Sequence, residues 1–313
     1  TSITLFTLIQ FRRLALQPGE QSRFLAQYLT QWTLEVGAQK AQLVAASQAE
    51  YWQHVMSGFQ RGGEIPTDRQ RSDMQDFEGC GYDLRLDGGL IADLTDLGRE
   101  QKASLFMVVL SAYQVLVHHC SGSSTFCVGI PVSRRSQPEL EGTMGLFVNT
   151  IPLICDFTGN PSFRDVIRHT RDRSLRCFEN QDVPFDRIAK AAGVPRDLGR
   201  NPLFQSIVVH HALPAPVGVR DLEISAVLLP YTVVRSDLAL WIVDEADQVT
   251  LRLQYSRRLF DSVTIERLMT KLLGILNRVT SDNPSLDELH NVCRSVDPRN
   301  AEASTLKLGL FHV

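Results

Sequence analysis

Residues 105–117 are apolar around the whole circumference that a helix would present, with only Ser111, Tyr113 and Gln114 interrupting. A helix without a polar face must be covered on every side, so the segment 104–119 requires other elements layered around it. Its apolar run is about two-thirds of what a bilayer crossing needs, which makes it a buried helix and not a span. Ser121-Gly122 supplies the stop.

Periodicity supplies candidates for that cover. Residues 125–130 and 146–154 read as strands, the second losing one ladder donor at Pro152. Residues 204–209, 238–243 and 249–255 read as further strands, the last alternating Val249, Leu251, Leu253 and Tyr255. Ser162, with Asp165 three residues on, predicts a capped helix whose buried face carries Phe163, Val166, Ile167, Thr170 and Phe178. A long helix from Asp261-Ser262 to about Val279 turns Ile265, Leu268, Met269, Leu272, Leu276 and Val279 inward. Leu25, Tyr28, Leu29, Trp32 and Val36 predict an earlier amphipathic helix leading towards Tyr51-Trp52. Gly62-Gly63-Glu64-Ile65-Pro66-Thr67-Asp68-Arg69 is rich in turn formers and reads as a linker crossing the surface. Residues 291–313 show no pattern and read as a tail. Strands and helices mix without a βαβ rhythm, so the expected fold class is α/β in the α+β sense, with helices packed on a mixed sheet.

Composition narrows the partners. The 313 residues are 43% hydrophobic and 21% charged, with a formal net charge of -3 and both signs interspersed. This leaves no basic footprint for nucleic acid or an anionic membrane. The six cysteines, Cys80, Cys120, Cys127, Cys155, Cys177 and Cys293, are scattered without a Cys-x-x-Cys pair or zinc-finger spacing. No metal is therefore expected, and the thiols read as reduced in a cytoplasmic protein. No signal peptide is recognisable. The chain opens on Thr1 and not Met, which points to an excised or incomplete chain.

Three ordered motifs carry a family resemblance. Met144-Gly145-Leu146-Phe147-Val148-Asn149-Thr150 is followed by Asn180-Gln181-Asp182-Val183-Pro184-Phe185-Asp186, then by Arg196-Asp197-Leu198-Gly199-Arg200-Asn201-Pro202-Leu203-Phe204. Together they resemble the Gly-x-Phe-Val-Asn-Thr, Gln-Asp-x-Pro-Phe-Glu and Arg-Asp-x-Ser-Arg-Asn-Pro-Leu-Phe segments of nonribosomal peptide synthetase condensation domains. Here Asp186 replaces the family's Glu, and Gly199 replaces its Ser. Ala26-Gln27-Tyr28-Leu29-Thr30-Gln31-Trp32, Tyr51-Trp52, Pro66-Thr67-Asp68-Arg69 and Val128-Gly129-Ile130-Pro131-Val132 sit where the family has similar text. The resemblance spans residues 26–289.

It implies a pair of lobes related to chloramphenicol acetyltransferase, with a tunnel between them entered by the 4'-phosphopantetheine arms of carrier proteins. No tightly bound cofactor is implied; the partners are peptidyl or acyl carriers and adjacent synthetase domains. Residues 1–60 would be a helical remnant of the N-terminal lobe with its linker, 61–290 the C-terminal lobe and 291–313 the tail. The reaction would join two tethered groups by an amide, which requires orientation, proton removal and oxyanion stabilisation.

The family places its catalytic histidine in a His-His-x-x-x-Asp-Gly motif. His118-His119 precedes Cys120-Ser121-Gly122 and reads as a helix terminus; His210-His211 precedes Ala212-Leu213-Pro214 and reads as a strand end. No catalytic residue is therefore assigned. Tunnel candidates are Asn149, Thr150, Gly129, Pro131 and Asp237. Asn149 and Thr150 either bond to a neighbouring loop or touch substrate or pantetheine, and Asp237 reads either as a turn residue before a strand or as a tunnel group. Gln181, Asp182, Pro184 and Phe185 are expected to fix a loop, and Arg196, Asp197, Arg200 and Asn201 a turn held by its own charges and hydrogen bonds. Cys127 reads as a small core residue. Three functions follow: an excerpt of an amide-forming domain, a non-catalytic module docking carriers or neighbouring domains, or a coenzyme A-dependent relative. Reading the gene upstream of Thr1 for the histidine motif separates the first two. A lone lobe would expose its tunnel side, so poor solubility is expected.

Overall fold

The computed structural model describes residues 39–135, 140, 143–195, 197–214, 217–219, 222–224, 226, 232–245 and 248–295. The expected helix at Leu25 to Val36, Arg196 and residues 296–313 lie outside them. Two compact units emerge. One gathers the described part of Thr1–Phe59 with Pro131–Ile151 and Phe178–Gly193; the other comprises Gln60–Ile130, Pro152–Cys177 and the described part of Val194–Val313.

Chain order is α1 (Gln39–Met56), β1 (Gly79–Arg85), α2 (Gly88–Glu100), α3 (Leu105–Ser121), β2 (Thr125–Ser133), β3 (Val148–Asp156), α4 (Phe163–Glu179) and α5 (Phe185–Ala191). There follow β4 (Ser206–Ala212), β5 (Val217–Val219), β6 (Leu222–Ile224), β7 (Leu238–Glu245), β8 (Gln248–Ser256), α6 (Ser262–Ser281) and α7 (Leu286–Ser295). Six strands form one sheet in the order β1-β8-β7-β4-β2-β3, and β5 and β6 form a separate antiparallel pair. In the large sheet β7 is antiparallel to β8 and parallel to β4, while β4 is parallel to β2. The mixed sheet expected from the sequence is present.

The all-apolar helix is α3. Ser104 caps it by accepting from Met107 N, and Gly122 ends it at φ 68°, donating to His118 O at 2.9 Å. Met107 through Val117 are buried, covered in part by α2, α6 and α7. Ser162 and Asp165 cap α4 reciprocally, Ser162 N donating to Asp165 Oδ2 at 3.1 Å and Asp165 N to Ser162 Oγ at 3.4 Å. The buried face of α4 continues through Ser174 and Cys177, leaving Phe178 half-buried.

Two expectations need correction. The 62–69 segment is irregular and crosses the surface only in its second half, where Pro66, Asp68 and Arg69 are exposed; Gly63 is buried, Ile65 is 7% exposed, and a Cβ on Gly63 would lie 2.7 Å from the Phe126 ring. With φ at +75° as well, that position excludes side chains for two independent reasons. The tail does not begin at Asn291 either, because α7 runs to Ser295 and buries Leu286, Leu289 and Cys293. Its cap is Ser285 with Glu288, Ser285 N donating to Glu288 Oε2 at 2.7 Å. The strand β1 and the helix α2 had no expectation. Gly79-Cys80-Gly81 lacks side chains to alternate, and β1 forms because β8 offers an ordered antiparallel partner, Tyr82 opposite Leu253 and Leu84 opposite Leu251.

Candidate functional site

In the first unit the site is built around the start of β3. Asn149 is half-buried, and its amide nitrogen donates to Gln181 O at 2.9 Å and to Val183 O at 2.8 Å. Both N–H groups are thus spent on the carbonyls of the 181–184 loop. The same loop is seized from the other direction by α1. Gln48 donates to Glu179 O at 3.1 Å and to Asp182 Oδ2 at 3.3 Å, and accepts from Asp182 N at 3.0 Å. One helical turn later, Trp52, 1% exposed, donates its indole N–H to Asn180 O at 2.8 Å. Gln48 and Trp52 are four apart and share a face of α1. Arg134 lies 3.6 Å from Asp182 Oδ1 across a half-exposed contact. Pro184 then begins α5 as its N-cap, with Phe185 the first helical residue. Thr150 alternates to the opposite side of β3 from Asn149, and its hydroxyl makes no hydrogen bond among the described residues. Beside this strand, the Arg135 guanidinium sits 4.3 Å from the centre of the Phe147 ring. Pro131 is a half-buried residue of β2.

In the second unit the expected turn is a charge network. Arg200 donates to both Glu64 oxygens, at 2.9 and 2.7 Å, and its Nε lies 2.8 Å from Asp197 Oδ2, near enough for attraction but not aligned as a hydrogen bond. Asp197 also accepts from Gly199 N at 2.8 Å, and Asn201 accepts from Leu203 N at 3.0 Å and Phe204 N at 3.3 Å. Arg61 reaches the carbonyls of Pro195 and Pro202 at 3.3 Å. A Cβ on Gly199 would stand 2.6 Å from the Ser72 carbonyl oxygen. The departure from the family's serine at this position therefore coincides with a backbone approach that only glycine permits.

Asp237 is 6% exposed and forms a two-pronged pair with Arg71, Nη1 to Oδ1 at 2.8 Å and Nη2 to Oδ2. This bond raises the Arg71 pKa above its ordinary value against the opposing effect of burial. Both carboxylate oxygens of Asp237 are thus engaged by Arg71, which also donates to Gly199 O at 3.3 Å, tying the pair to the turn. Gly129 in β2 is opposite Ile207 in β4, and a Cβ there would meet the Phe204 ring at 2.5 Å. The Phe204 that closes the third motif thus packs on the Gly129 position.

The remaining candidates separate from these groups. His210 Nε2 is 3.8 Å from Asp244 Oδ2 at an exposed strand end, and burial, then His210, lowers the His211 pKa. Cys127 is buried at 3% exposure; burial, then Cys155 and Cys177, pushes its thiol far above the usual range, as in an inert core residue. No group of three or more His, Cys, Asp or Glu among the described residues is arranged to hold a metal ion. Among the same residues no single helix is long and apolar enough to cross a membrane.

Sequence reasoning did not single out Gln48, Glu64, Arg71 or Arg134. The four-residue spacing of Gln48 and Trp52 was a readable signal, whereas Arg71 and Asp237 are 166 residues apart and share no local pattern.

Comparison with known proteins agrees with the motifs. The family model described as Condensation domain matches residues 15–291. Tyrocidine synthase 2 of Brevibacillus parabrevis is 32% identical over 251 residues, which are 78% of this chain and 7% of that protein. The chain therefore spans less than a tenth of that relative's length. Among solved structures, holo-AB3403, a four-domain nonribosomal peptide synthetase bound to AMP and glycine, superposes with a TM-score of 0.72 at 22% identity. That alignment covers 77% of this chain and 20% of the other. The X-domain in its complex with OxyB from teicoplanin biosynthesis gives 0.71 at 22% identity, over 88% of this chain and 60% of that one. At these identities the two structures establish the fold.

Proposed function

The chain belongs to the condensation-domain family, and from that membership we propose that it is part of an amide-forming domain of a nonribosomal peptide synthetase in the cytoplasm. Its substrates are an acyl and an aminoacyl thioester, each held on the phosphopantetheine arm of a carrier protein. The acceptor amine attacks the donor carbonyl, a C–N bond forms, the C–S bond breaks, and the donor thiol departs with a proton. What this chain contributes is rigidity and shape: tethered reactants gain rate from orientation, and orientation needs walls that do not yield. The observation that carries the reading is the lock between two family motifs, in which Asn149 spends both amide protons on the 181–184 loop. With Asn149 committed to scaffold, the contact with substrate or pantetheine falls to Thr150.

The test is amide formation by the full-length protein containing this chain, supplied with thioesters on pantetheinylated carriers. We expect an amide product whose rate falls about tenfold in Thr150→Val, with melting temperature unchanged, a loss equivalent to one hydrogen bond in the transition state. Loaded carriers that bind but yield no amide would favour the second reading, a non-catalytic docking module. One observation points that way: the fold resembles an X-domain solved with OxyB.

A further inference from the structure

The helix α7 is clasped to the end of α3 by imidazoles. The His290 ring is centred 5.0 Å from that of His118 and 5.1 Å from that of His119. His118 is itself fixed, stacked on Phe157 at 4.7 Å with Nδ1 2.9 Å from Ser123 O. His290 Nε2 is buried and has no hydrogen-bond partner among the described residues. The rest of the α7 seat is Leu286, Leu289 and Cys293, all buried.

The charges around these rings have one dominant sign. Lys271 of α6 and Arg294 of α7 act on His119; Arg294 also acts on His290, while Asp287 alone opposes. Asp287 is already engaged by Asn160, whose amide nitrogen donates to it at 2.7 Å. The neighbouring thiols bring no negative charge, since burial raises the pKa of Cys120 and pushes that of Cys293 up to about 12. One proton on the cluster can be borne near Asp287, but a second meets a cation within the same few ångströms of half-buried space.

We propose that His119 and His290, packed with the His118 ring, form an acid-sensitive clasp that holds α7 on α3 while their rings are neutral and releases it once both are protonated. Electrostatics agrees in sign. Burial, then Lys271 and the other cations, lowers the His119 pKa to about 4, and burial lowers that of His290. With α7 released, His290 on α7 and His119 on α3 both regain solvent, so the released state binds more protons than the docked one between about pH 6.5 and pH 4. Docking is at full strength above that window and is lost as the pH falls through it.

Hydrogen exchange of the full chain, read by mass spectrometry and corrected for intrinsic rates, tests this directly. Protection of residues 286–295 should fall about tenfold or more between pH 7.5 and pH 5, while that of 238–256 in β7 and β8 holds. His290→Gln should flatten the pH dependence. If that variant undocks α7 at every pH, His119→Asn, outside the helix, is read instead and should flatten it as well. Protection of 286–295 that is constant from pH 7.5 to pH 5 would overturn the proposal. So would an equal fall in β7 and β8, or a fall of the same size in His119→Asn.

Discussion

The 181–184 loop is held by an uncharged amide whose two N–H groups meet backbone carbonyls, whereas the 197–201 turn is held by carboxylates and guanidiniums. Both carry motifs of one family, and in both the polar side chains face their own scaffold. The difference lies in what each lock responds to. An amide-to-carbonyl bond is indifferent to pH and nearly so to salt. A charge network gains from burial only where every ion has its partner, and it suffers when one is removed. The turn should therefore break harder than the loop, and the deepest ion should break it hardest.

Removing that ion is the strongest test. Asp237→Ala leaves the Arg71 guanidinium, whose side chain is 15% exposed, without its two-pronged partner. Loss of one member of such a pair costs about 3 kcal/mol, which lowers the melting temperature of a protein this size by roughly 4–6 °C. Thermal unfolding followed by circular dichroism measures it. A loss under about 1 kcal/mol would place the pair with exposed salt bridges and erase the contrast with the loop.

The loop should lose less. Asn149→Ala removes two hydrogen bonds to the loop carbonyls, about 2 kcal/mol in all. Asn149→Asp sharpens the comparison, because at neutral pH it sets a carboxylate against the oxygens of Gln181 and Val183. It should be worse than alanine at pH 7 and should recover towards alanine below about pH 5, as the carboxyl gains a proton and with it a donor. Denaturant midpoints at the two pH values decide it; an aspartate variant no worse than alanine at pH 7 would mean that the Asn149 nitrogen does not face those carbonyls.

What the sequence made legible follows the same division. The strands from 125, 238 and 249 and the helices from 104, 162 and 262 announced themselves through periodicity and caps, which are local. β1 did not, because its Gly79-Cys80-Gly81 start has no pattern of its own and is a strand only opposite β8. The start of α7 carries a readable signal, since Ser285 and Glu288 have capping-box spacing, but the lack of pattern after Asn291 obscures it. In the candidate site, the role of Asn149 could be weighed from its place in a strand, but the partner of Asp237 could not. Arg71 meets it across 166 residues of chain, and nothing in the text around either residue encodes the other.

The finest test lies inside the charged turn, where this chain departs from its family. Gly199 stands where the family's motif has serine, and a Cβ there would come within 2.6 Å of the Ser72 oxygen. The obstacle is backbone and not the end of a flexible side chain, so it can move only with its segment. That segment includes Arg71, which donates to Gly199 O and holds Asp237. Gly199→Ser should therefore destabilise by about 1–2 kcal/mol, the ordinary cost of overpacking, even though it restores the family's residue. Coupling gives the sharper readout. In the Asp237→Ala background, where the 71–72 segment is no longer pinned by the ion pair, the serine should cost less, and a double-mutant cycle should return an interaction of about 0.5 kcal/mol or more. Strict additivity would show that the close approach at Gly199 and the buried pair are separate features of the turn.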